Sequence, residues 1–260
     1  MSPGEALLLG LIQGATEFLP VSSSGHLVMA QTVLGISVQG VLFEVATHVA
    51  TLISVVVVYR ARLASLAVGA VRGERDAWSY VGLLALATLP AAVIGLVFEH
   101  RIEAMFEDPV APGFALLVTG AVLWSARSVV ARAAAERPGV VAALLIGFAQ
   151  AFALIPGISR SGSTVVAALW LGVEAREAAA FSFLMAIPAI GGAALLQILA
   201  LEPGAGPGSV PLLVGGVVAA VTGVVAIRTF VAMLARRSFH LFAPYCWAVA
   251  SAYLVYLAWR

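Results

Sequence analysis

A few ionisable side chains stand inside long apolar stretches of this sequence, and Arg160 is the most informative of them. It occupies the centre of the segment PGISRSG, between Ser159 and Ser161. Glycines let backbone N–H groups approach an anion, and a helix that begins at such a segment directs its positive end towards it. Arginine adds a permanently charged fork that matches phosphate oxygens. The segment predicts a phosphate-binding loop of Ser159, Arg160, Ser161 and Gly162, unless Arg160 serves only as one half of a structural ion pair.

A carboxamide and a carboxylate stand four residues apart in the segment QGATEFLP. On a helix this spacing places Gln13 and Glu17 on one face. Such a pair can hold a hard divalent cation, and Glu17 can also serve as a general base. The alternative is that Glu17 only neutralises the charge of Arg160.

The segment PVSSSGH supplies three hydroxyl groups followed by an imidazole. A hydroxyl with an imidazole and a carboxylate nearby can carry out nucleophilic attack. Ser23 and His26 are therefore candidate catalytic residues, together with Glu17 and Arg160. Ser22, Ser24 and Gly25 are candidates for contacting the phosphate. The simpler alternative is that the serines cap a helix that begins near Gly25.

Three further polar residues could hold the side chains of the site in place without contacting the substrate. Glu44 and His48 are four residues apart, so they share one face of the next helix. They either support the site or line a polar seam between helices, and the seam is the simpler interpretation. Gln150 joins this group because it repeats Gln13 in the second half of the chain.

The composition indicates a membrane protein. Hydrophobic residues make up 62% of the 260 residues and charged residues 10%, whereas soluble domains carry about 25% charged residues. Five uncharged stretches approach the roughly 20 residues that cross a bilayer; they are residues 77–98, 109–126, 178–201, 203–227 and 241–259. The net charge of +1 argues against a nucleic-acid partner. A single cysteine, Cys246, excludes an internal disulfide.

Two segments of the chain resemble each other. Residues 10–35 align without a gap with residues 147–172, at the 137-residue separation of Gln13 and Gln150. The identical polar or glycine pairs are Gly10 and Gly147, Gln13 and Gln150, Ser22 and Ser159, Ser24 and Ser161, Gly25 and Gly162, and Gly35 and Gly172. Polar and glycine matches in one register favour an internal repeat.

Each repeated segment consists of two short apolar arms around a polar centre. The arms are too short to cross a bilayer, and a helix broken at membrane depth must be buried in protein or line a cavity. We therefore expect re-entrant hairpins with tips at 20–25 and 156–162. Crossings are expected at 41–59, 79–98 and 111–128, then at 178–200, 210–228 and 241–259. The predicted fold is an all-α integral membrane protein of two inverted-topology repeats, 1–137 and 138–260, which form one membrane domain.

The arginines predict the orientation of this fold. They cluster in three predicted connections, which contain Arg60, Arg62, Arg72 and Arg75, then Arg127, Arg132 and Arg137, then Arg228, Arg236 and Arg237. All three connections fall on one side, which the positive-inside rule makes cytoplasmic. An acidic loop at 99–108 and a Gly/Pro loop at 202–211 fall on the other side. The hairpins then enter from opposite sides, and their tips can meet near the midplane.

Together these motifs resemble the bacterial undecaprenyl-diphosphate phosphatase family of the bacitracin-resistance type. That family has an (E/Q)xxxE motif that runs into PVSSxGH, then PGxSRSG in the second half, and FSFLMAIPA at 181–189 also matches. The resemblance covers essentially the whole chain. It implies Gln13 and Glu17 at the metal or acid/base position, Ser23 and His26 as nucleophile candidates, and Arg160 with Ser159 on the phosphate. Gln13 stands where many members have glutamate, which leaves one carboxylate fewer.

The expected activity is hydrolysis of undecaprenyl diphosphate to undecaprenyl phosphate and inorganic phosphate, which recycles a lipid carrier for cell-wall synthesis. Mg²⁺ or Ca²⁺ is the expected cofactor, and the bacterial cytoplasmic membrane the expected location. Ser23 is the preferred nucleophile over His26 and water, with His26 and Glu17 as proton carriers. The partners are the lipid substrate and membrane lipids, and a homodimer is one arrangement that the sequence allows. The alternative function is a non-enzymatic transporter of a polyprenyl phosphate or another anionic lipid.

Overall fold

The chain folds into eleven α-helices in the part that the structure, a computed structural model, describes, namely residues 1–36, 42–130, 133–200 and 208–259. The helices are α1 (Pro3–Phe18), α2 (Ser23–Leu34), α3 (Leu42–Val71), α4 (Arg75–Val97), α5 (Glu99–Glu107), α6 (Ala111–Ser125), α7 (Val140–Phe152), α8 (Arg160–Trp170), α9 (Ala175–Leu199), α10 (Ser209–Ala235) and α11 (Phe242–Trp259).

Membrane-spanning helices make up most of the fold. Five segments are long and apolar enough to cross a bilayer: α3, α4, α9, α10, and 239–259, which contains α11. A sixth is counted if α5 and the segment from α6 to Ser128, bent by 102° against each other, form one span. Large apolar side chains such as Leu96 and Val221, each 60% exposed, face outward. The prediction of an all-α, multi-pass membrane protein is confirmed.

Helix extends into three of the predicted connections, including the one after 228, where α10 continues to Ala235, so the loop predictions were wrong at these positions. The helix α3 continues through Arg60 and Arg62 after a kink at Tyr59, because arginine, alanine and leucine favour helix outside the bilayer as well. The predicted acidic loop at 99–108 contains α5, whose first residue, Glu99, carries the negative charge that a helix N-terminus favours. Three predicted features lie outside the described residues: Val41, Arg132, and positions 202–207 of the Gly/Pro loop.

Four short helices form two pairs that resemble each other. The helices α1 and α2 pack together, as do α7 and α8; α1 also lies along α10, and α7 lies along α4. Glycines permit these close approaches. A Cβ at Gly10 would collide with the backbone of Gly215, and one at Gly147 would collide with the carbonyl of Ala87. With 12 residues, α2 is about 18 Å long, well short of the roughly 30 Å hydrocarbon core.

An aromatic cluster fills the core next to the ends of the short helices. Phe183 contacts Phe18 at 5.4 Å and Phe230 at 5.5 Å between ring centroids, both edge to face. Tyr59, at the kink of α3, contacts Phe183 at 6.1 Å. Because Phe18 and Phe183 follow Glu17 and Ser182 directly in the chain, this rigid packing holds the backbone beside the polar residues described next.

Candidate active site

The turns between the paired short helices contact each other. Ser22 caps α2, with its hydroxyl accepting the N–H of Gly25 at 3.3 Å, and the same oxygen accepts the N–H of Gly157 at 3.2 Å. The backbone of Ser22 adopts a φ of 67°, a conformation that is uncommon outside glycine. A Cβ at Gly25 would lie 2.9 Å from the Cα of Gly157. The two tips are therefore joined by a shared cap and by close backbone packing.

Residues from other helices hold the second tip in place. The hydroxyl of Thr119 donates to the carbonyl of Gly157 at 2.7 Å and accepts the N–H of Ser159 at 3.1 Å. Ser159 in turn caps α8 by accepting the N–H of Gly162 at 3.1 Å. Ser161 donates to the carbonyl of Leu19 at 3.1 Å, which gives a second link to the first tip.

Glu17 is the centre of the polar cluster at this junction. Its Oε2 accepts the hydroxyl of Ser23 at 2.6 Å and the amide N–H of Gln13 at 3.0 Å. Its Oε1 accepts an N–H of Arg160 at 2.8 Å. Glu17 is only 7% exposed, so these three donors replace the water that the carboxylate loses on burial.

Arg160 is the first residue of α8, and its side chain reaches across to the first hairpin. One guanidinium nitrogen donates to Glu17 and the other to the carbonyl of Ser182 at 3.3 Å. The ion pair anticipated as the simpler alternative is thus present. These bonds engage two of the five N–H groups of the guanidinium, and the others make no hydrogen bond within the described residues. An anion could therefore bind Arg160 while the contact to Glu17 persists.

His26 lies beside this cluster, and both nitrogens of its ring are engaged. Its Nδ1 is 2.9 Å from the carbonyl of Ser22, and its Nε2 is 2.9 Å from the hydroxyl of Tyr245 on α11. The rings of His26 and Tyr245 are parallel, with centroids 5.8 Å apart. Ser24, the next hydroxyl along α2, lies 3.3 Å from the hydroxyl of Ser22.

His48 is closer to the centre of the cluster than Glu44. Its Nε2 is 3.7 Å from Oε2 of Glu17, while its Nδ1 bonds the backbone carbonyl of Glu44 at 2.8 Å. The carboxylate of Glu44 accepts an amide N–H of Gln31 at 3.3 Å. Gln150 is 3% exposed, and neither polar atom of its amide has a hydrogen-bond partner among the described residues.

The oxygen atoms of Glu17 and Gln13 suit Mg²⁺ better than Ca²⁺. The part of the chain that the structure describes contains no group of three or more His, Cys, Asp or Glu residues arranged to hold a metal. Glu17 offers one carboxylate, and the buried Oε1 of Gln13 has no hydrogen-bond partner among the described residues. Ca²⁺ takes about six to eight oxygen ligands, whereas Mg²⁺ is commonly held by one or two carboxylates plus water and phosphate oxygens. Glu17 and Gln13 fit a Mg²⁺ ion that is completed by water and phosphate oxygens.

Three residues that contact the site were missed from the sequence: Thr119, Ser182 and Tyr245. Thr119 is a lone hydroxyl residue in the apolar run FALLVTGAVL, and this contrast was a usable signal. Ser182 acts through its backbone carbonyl, which no side-chain pattern reveals. Tyr245 is one of several aromatic residues in an apolar helix, so only its position against His26 distinguishes it.

The fold and this cluster define a multi-pass membrane protein with a buried carboxylate, hydroxyl and guanidinium where two interrupted helix pairs meet. A family model described as Bacitracin resistance protein BacA matches residues 6–252, and the chain belongs to this family. The family resemblance inferred from the motifs is confirmed.

Several relatives match this chain over nearly their full length. The undecaprenyl-diphosphatase of Desulfatibacillum aliphaticivorans is 40% identical over 271 residues, which covers 96% of this chain and 97% of the relative. That of Rubrobacter xylanophilus is 41% identical over 264 residues and 95% of each chain. Undecaprenyl-diphosphatase 1 of Bacillus licheniformis is 37% identical over 261 residues and 96% of each chain.

Proposed function

We propose that this protein hydrolyses undecaprenyl diphosphate to undecaprenyl phosphate and inorganic phosphate in the bacterial cytoplasmic membrane, and so returns the lipid carrier to cell-wall synthesis. The relatives that carry the name of this activity support it, since they match almost the entire chain. The observation that carries the proposal is the contact of one carboxylate, Glu17, with both the hydroxyl of Ser23 and the guanidinium of Arg160.

Ser23 is the proposed nucleophile because its hydroxyl already donates to a carboxylate at 2.6 Å. As Oγ attacks the terminal phosphorus, its proton passes to Oε2 of Glu17. The Oγ–P bond forms, the bond from phosphorus to the bridging oxygen breaks, and undecaprenyl phosphate leaves with that electron pair. Water then cleaves the Oγ–P bond, and this second step releases inorganic phosphate and restores the hydroxyl of Ser23.

Arg160 supplies the positive charge that stabilises the reacting phosphoryl group. Charge spreads over the phosphoryl oxygens in the transition state, so electrostatic stabilisation and positioning do most of the work. The remaining N–H groups of Arg160 and the N-terminal turns of α2 and α8 surround the proposed binding position. Ser24 is the less buried hydroxyl proposed to contact the phosphate. The other residues proposed for this position act by shaping it, because their hydroxyl and N–H groups already join and cap the two tips; they are Ser22, Gly25, Ser159, Ser161 and Gly162.

His26 is the proposed proton carrier rather than the nucleophile. Attack on phosphorus needs a nitrogen lone pair directed at the substrate, and both ring nitrogens of His26 already have hydrogen-bond partners. A phosphohistidine would first require the bond to Tyr245 to break. Ser23 has no such obstacle, because its bond to Glu17 assists deprotonation.

Mg²⁺ is the proposed cofactor, with Glu17 and the carboxamide oxygen of Gln13 as its protein ligands. When bound, it would neutralise charge on the diphosphate oxygens. Gln13 also keeps Glu17 oriented through its amide N–H at 3.0 Å, so it acts on the site whether or not the cation is present.

We infer that residues 1–137 and 138–260 are two repeats of opposite orientation, with α1–α2 and α7–α8 as re-entrant hairpins. Two observations support this. Each hairpin packs on a long helix of the other half, α1 on α10 and α7 on α4. Ser22 and Ser159 also make the same cap, each to the glycine three residues later. The opposite orientation explains how two distant segments can bring their tips together.

Phosphate release from undecaprenyl diphosphate by the purified protein, reconstituted in lipid vesicles, tests the proposed function. Wild type should release inorganic phosphate, and Ser23→Ala should reduce release to background. Ser54→Ala is the matched control, because it removes another hydroxyl that donates at 2.7 Å, to the carbonyl of Ala220 and not to Glu17. If wild type moves the lipid between leaflets without releasing phosphate, the transporter alternative replaces the enzyme.

A further inference from the structure

Tyr245 of α11 reaches the candidate site from near the end of the chain. Its hydroxyl lies 2.9 Å from Nε2 of His26, 219 residues away in the chain. Its ring lies parallel to the imidazole, with an interplanar angle of 3°. The hydroxyl of Tyr245 and the carbonyl of Ser22 thus hold the imidazole from opposite edges.

The two hydrogen bonds determine which nitrogen of His26 carries the proton. The carbonyl of Ser22 can only accept a hydrogen bond, so Nδ1 must carry the hydrogen at this contact. In a neutral imidazole the other nitrogen, Nε2, is then unprotonated and accepts the hydroxyl of Tyr245. The pair of contacts selects one tautomer of His26, with its basic lone pair on Nε2.

A hydroxyl is the one type of partner that suits His26 before and after it takes up a proton. Towards neutral His26, Tyr245 donates to the lone pair of Nε2. When Nε2 is protonated, the same hydroxyl oxygen accepts its N–H, because a phenol can act in either direction. The bond to Ser22 is unchanged in both states. The phenol can pass its own hydrogen to Nε2 while its oxygen takes up another from water, so the imidazole can gain and return a proton without losing its orientation.

We propose that Tyr245 is a positioning residue for the proton transfer of His26, holding the imidazole in a single tautomer and orientation as its protonation changes. This rests on the proposed function, in which His26 carries a proton. Tyr245 acts through His26 and does not itself touch the substrate. Because Tyr245 belongs to α11, the orientation of His26 in the first hairpin depends on how α11 packs.

Kinetics of undecaprenyl diphosphate hydrolysis provide the first test. Tyr245→Phe keeps the ring and removes the hydroxyl. We expect kcat to fall by about 10-fold, because general acid–base catalysis raises rates by roughly 10² to 10⁴ and only part of that increase depends on the orientation of His26. KM should stay within about twofold of the wild-type value. Tyr253→Phe is the matched control, because it removes a hydroxyl of the same helix that donates to the carbonyl of Pro109 at 2.8 Å. It should leave both constants unchanged.

Introducing Tyr245→Phe into a His26→Gln protein distinguishes a role in positioning His26 from a role in supporting the fold. If Tyr245 acts through His26, Tyr245→Phe should cause no further loss of kcat in a His26→Gln protein, since the effects of substitutions at interacting residues do not add. An equal loss in both backgrounds would show that the hydroxyl supports the fold instead, and would overturn the proposal. A wild-type kcat in Tyr245→Phe would overturn it as well.

Nitrogen-15 NMR of histidine-labelled protein tests the same bond without any turnover. The chain has four histidines, and the His26 signals are those absent from His26→Gln. Wild type should show a protonated Nδ1 and an unprotonated Nε2, and Tyr245→Phe should show a mixture of tautomers. An unchanged single tautomer in Tyr245→Phe would refute the proposal. If wild type releases no phosphate, the proposed function fails, while this experiment still decides the role of Tyr245 in orienting His26.

Discussion

The guanidinium of Arg160 lies 2.8 Å from the carboxylate of Glu17, although 143 residues separate them in the chain. Each residue sits beside the turn of a different short helix pair. Neither charge would be tolerated alone at a buried position, because the desolvation of an unpaired ion costs several kcal/mol. The two charges therefore neutralise each other only when both tips are in place. The same contact puts a proposed phosphate-binding arginine next to a proposed proton acceptor.

Replacing Arg160 by lysine keeps the charge but removes the planar fork. We expect Arg160→Lys to lower turnover by at least about 100-fold, or roughly 2.7 kcal/mol of barrier, because an ammonium group cannot bind Glu17, Ser182 and a phosphate in the same geometry. Steady-state phosphate release measures this. Arg62→Lys is the control and should stay near wild type, because Arg62 forms an ion pair with Glu177, at 3.6 Å, and not with Glu17. Near-normal turnover of Arg160→Lys would exclude the proposed phosphate contact.

The identity of the nucleophile predicts the chemistry of a trapped intermediate. If Ser23 attacks, enzyme quenched during turnover of terminally labelled substrate should carry a label that withstands acid and is lost in alkali. A label on His26 would show the opposite stability. Ser23→Ala should abolish turnover, whereas His26→Gln should retain a residual rate, since acid–base help is worth about 10² to 10⁴. An acid-labile label on His26 would reverse the assignment of Ser23, and activity in both mutants without any label would favour attack by water.

Gly25 is expected to be essential because the two tips pack closely at this position. In Gly25→Ala the new Cβ would lie 2.9 Å from the Cα of Gly157, so backbone must shift and the contact of Glu17 with Arg160 should weaken. We expect phosphate release to fall at least about 10-fold, because small misplacements of catalytic groups cost up to about 10². Gly82→Ala is the control, since a Cβ there meets open space on a helix. Equal activity of the two variants would contradict the close packing of the tips.

The metal dependence should respond to the residue at position 13. Chelation should abolish phosphate release, and Mg²⁺ should restore it. Gln13→Glu adds a second carboxylate where the amide now donates to Glu17 at 3.0 Å, so the Mg²⁺ concentration for half-maximal rate should fall at least about threefold. Gln197→Glu adds the same charge at an exposed position of α9 and should cause no change. A chelator-insensitive wild type would remove the cation from the mechanism.

The orientation of the chain can be tested by labelling of single cysteines with an impermeant thiol reagent. In a Cys246→Ala background, cysteines at Glu103 and Gly208 should react from outside intact cells. Cysteines at Gly73 and Ala134 should react only after the cells are opened, because the arginine-rich ends face the cytoplasm. All four positions are exposed. Reaction of all four from one side would be incompatible with inverted repeats.

Much of the fold could be predicted because bilayer crossing imposes a local rule on the sequence. Each spanning helix must be long and apolar, and five predicted crossings coincide with α3, α4, α9, α10 and α11. The sixth, at 111–128, contains α6, which is counted as a span only together with α5. The ends of the helices were harder to predict. Arg60 and Glu99 follow predicted crossings, where the sequence predicts connections, but charge ends the apolar stretch and not the helix. Where a helix stops outside the bilayer depends on local features such as Gly73, whose φ is 72°.

The order of residue types along the chain is enough to identify the unusual side chains, because polar groups inside apolar segments are costly and need a reason. These side chains are Glu17, Ser23, His26 and Arg160. The same order also determined the short helix pairs, whose turn residues and caps act over a few positions. The packing of the helices, in contrast, selects which of these side chains contact each other. The hydroxyl of Ser23 turns to Glu17, His48 approaches the same carboxylate, and His26 turns instead to Tyr245. These contacts join helices far apart in the chain, and side-chain direction depends on how those helices pack, which no local pattern encodes.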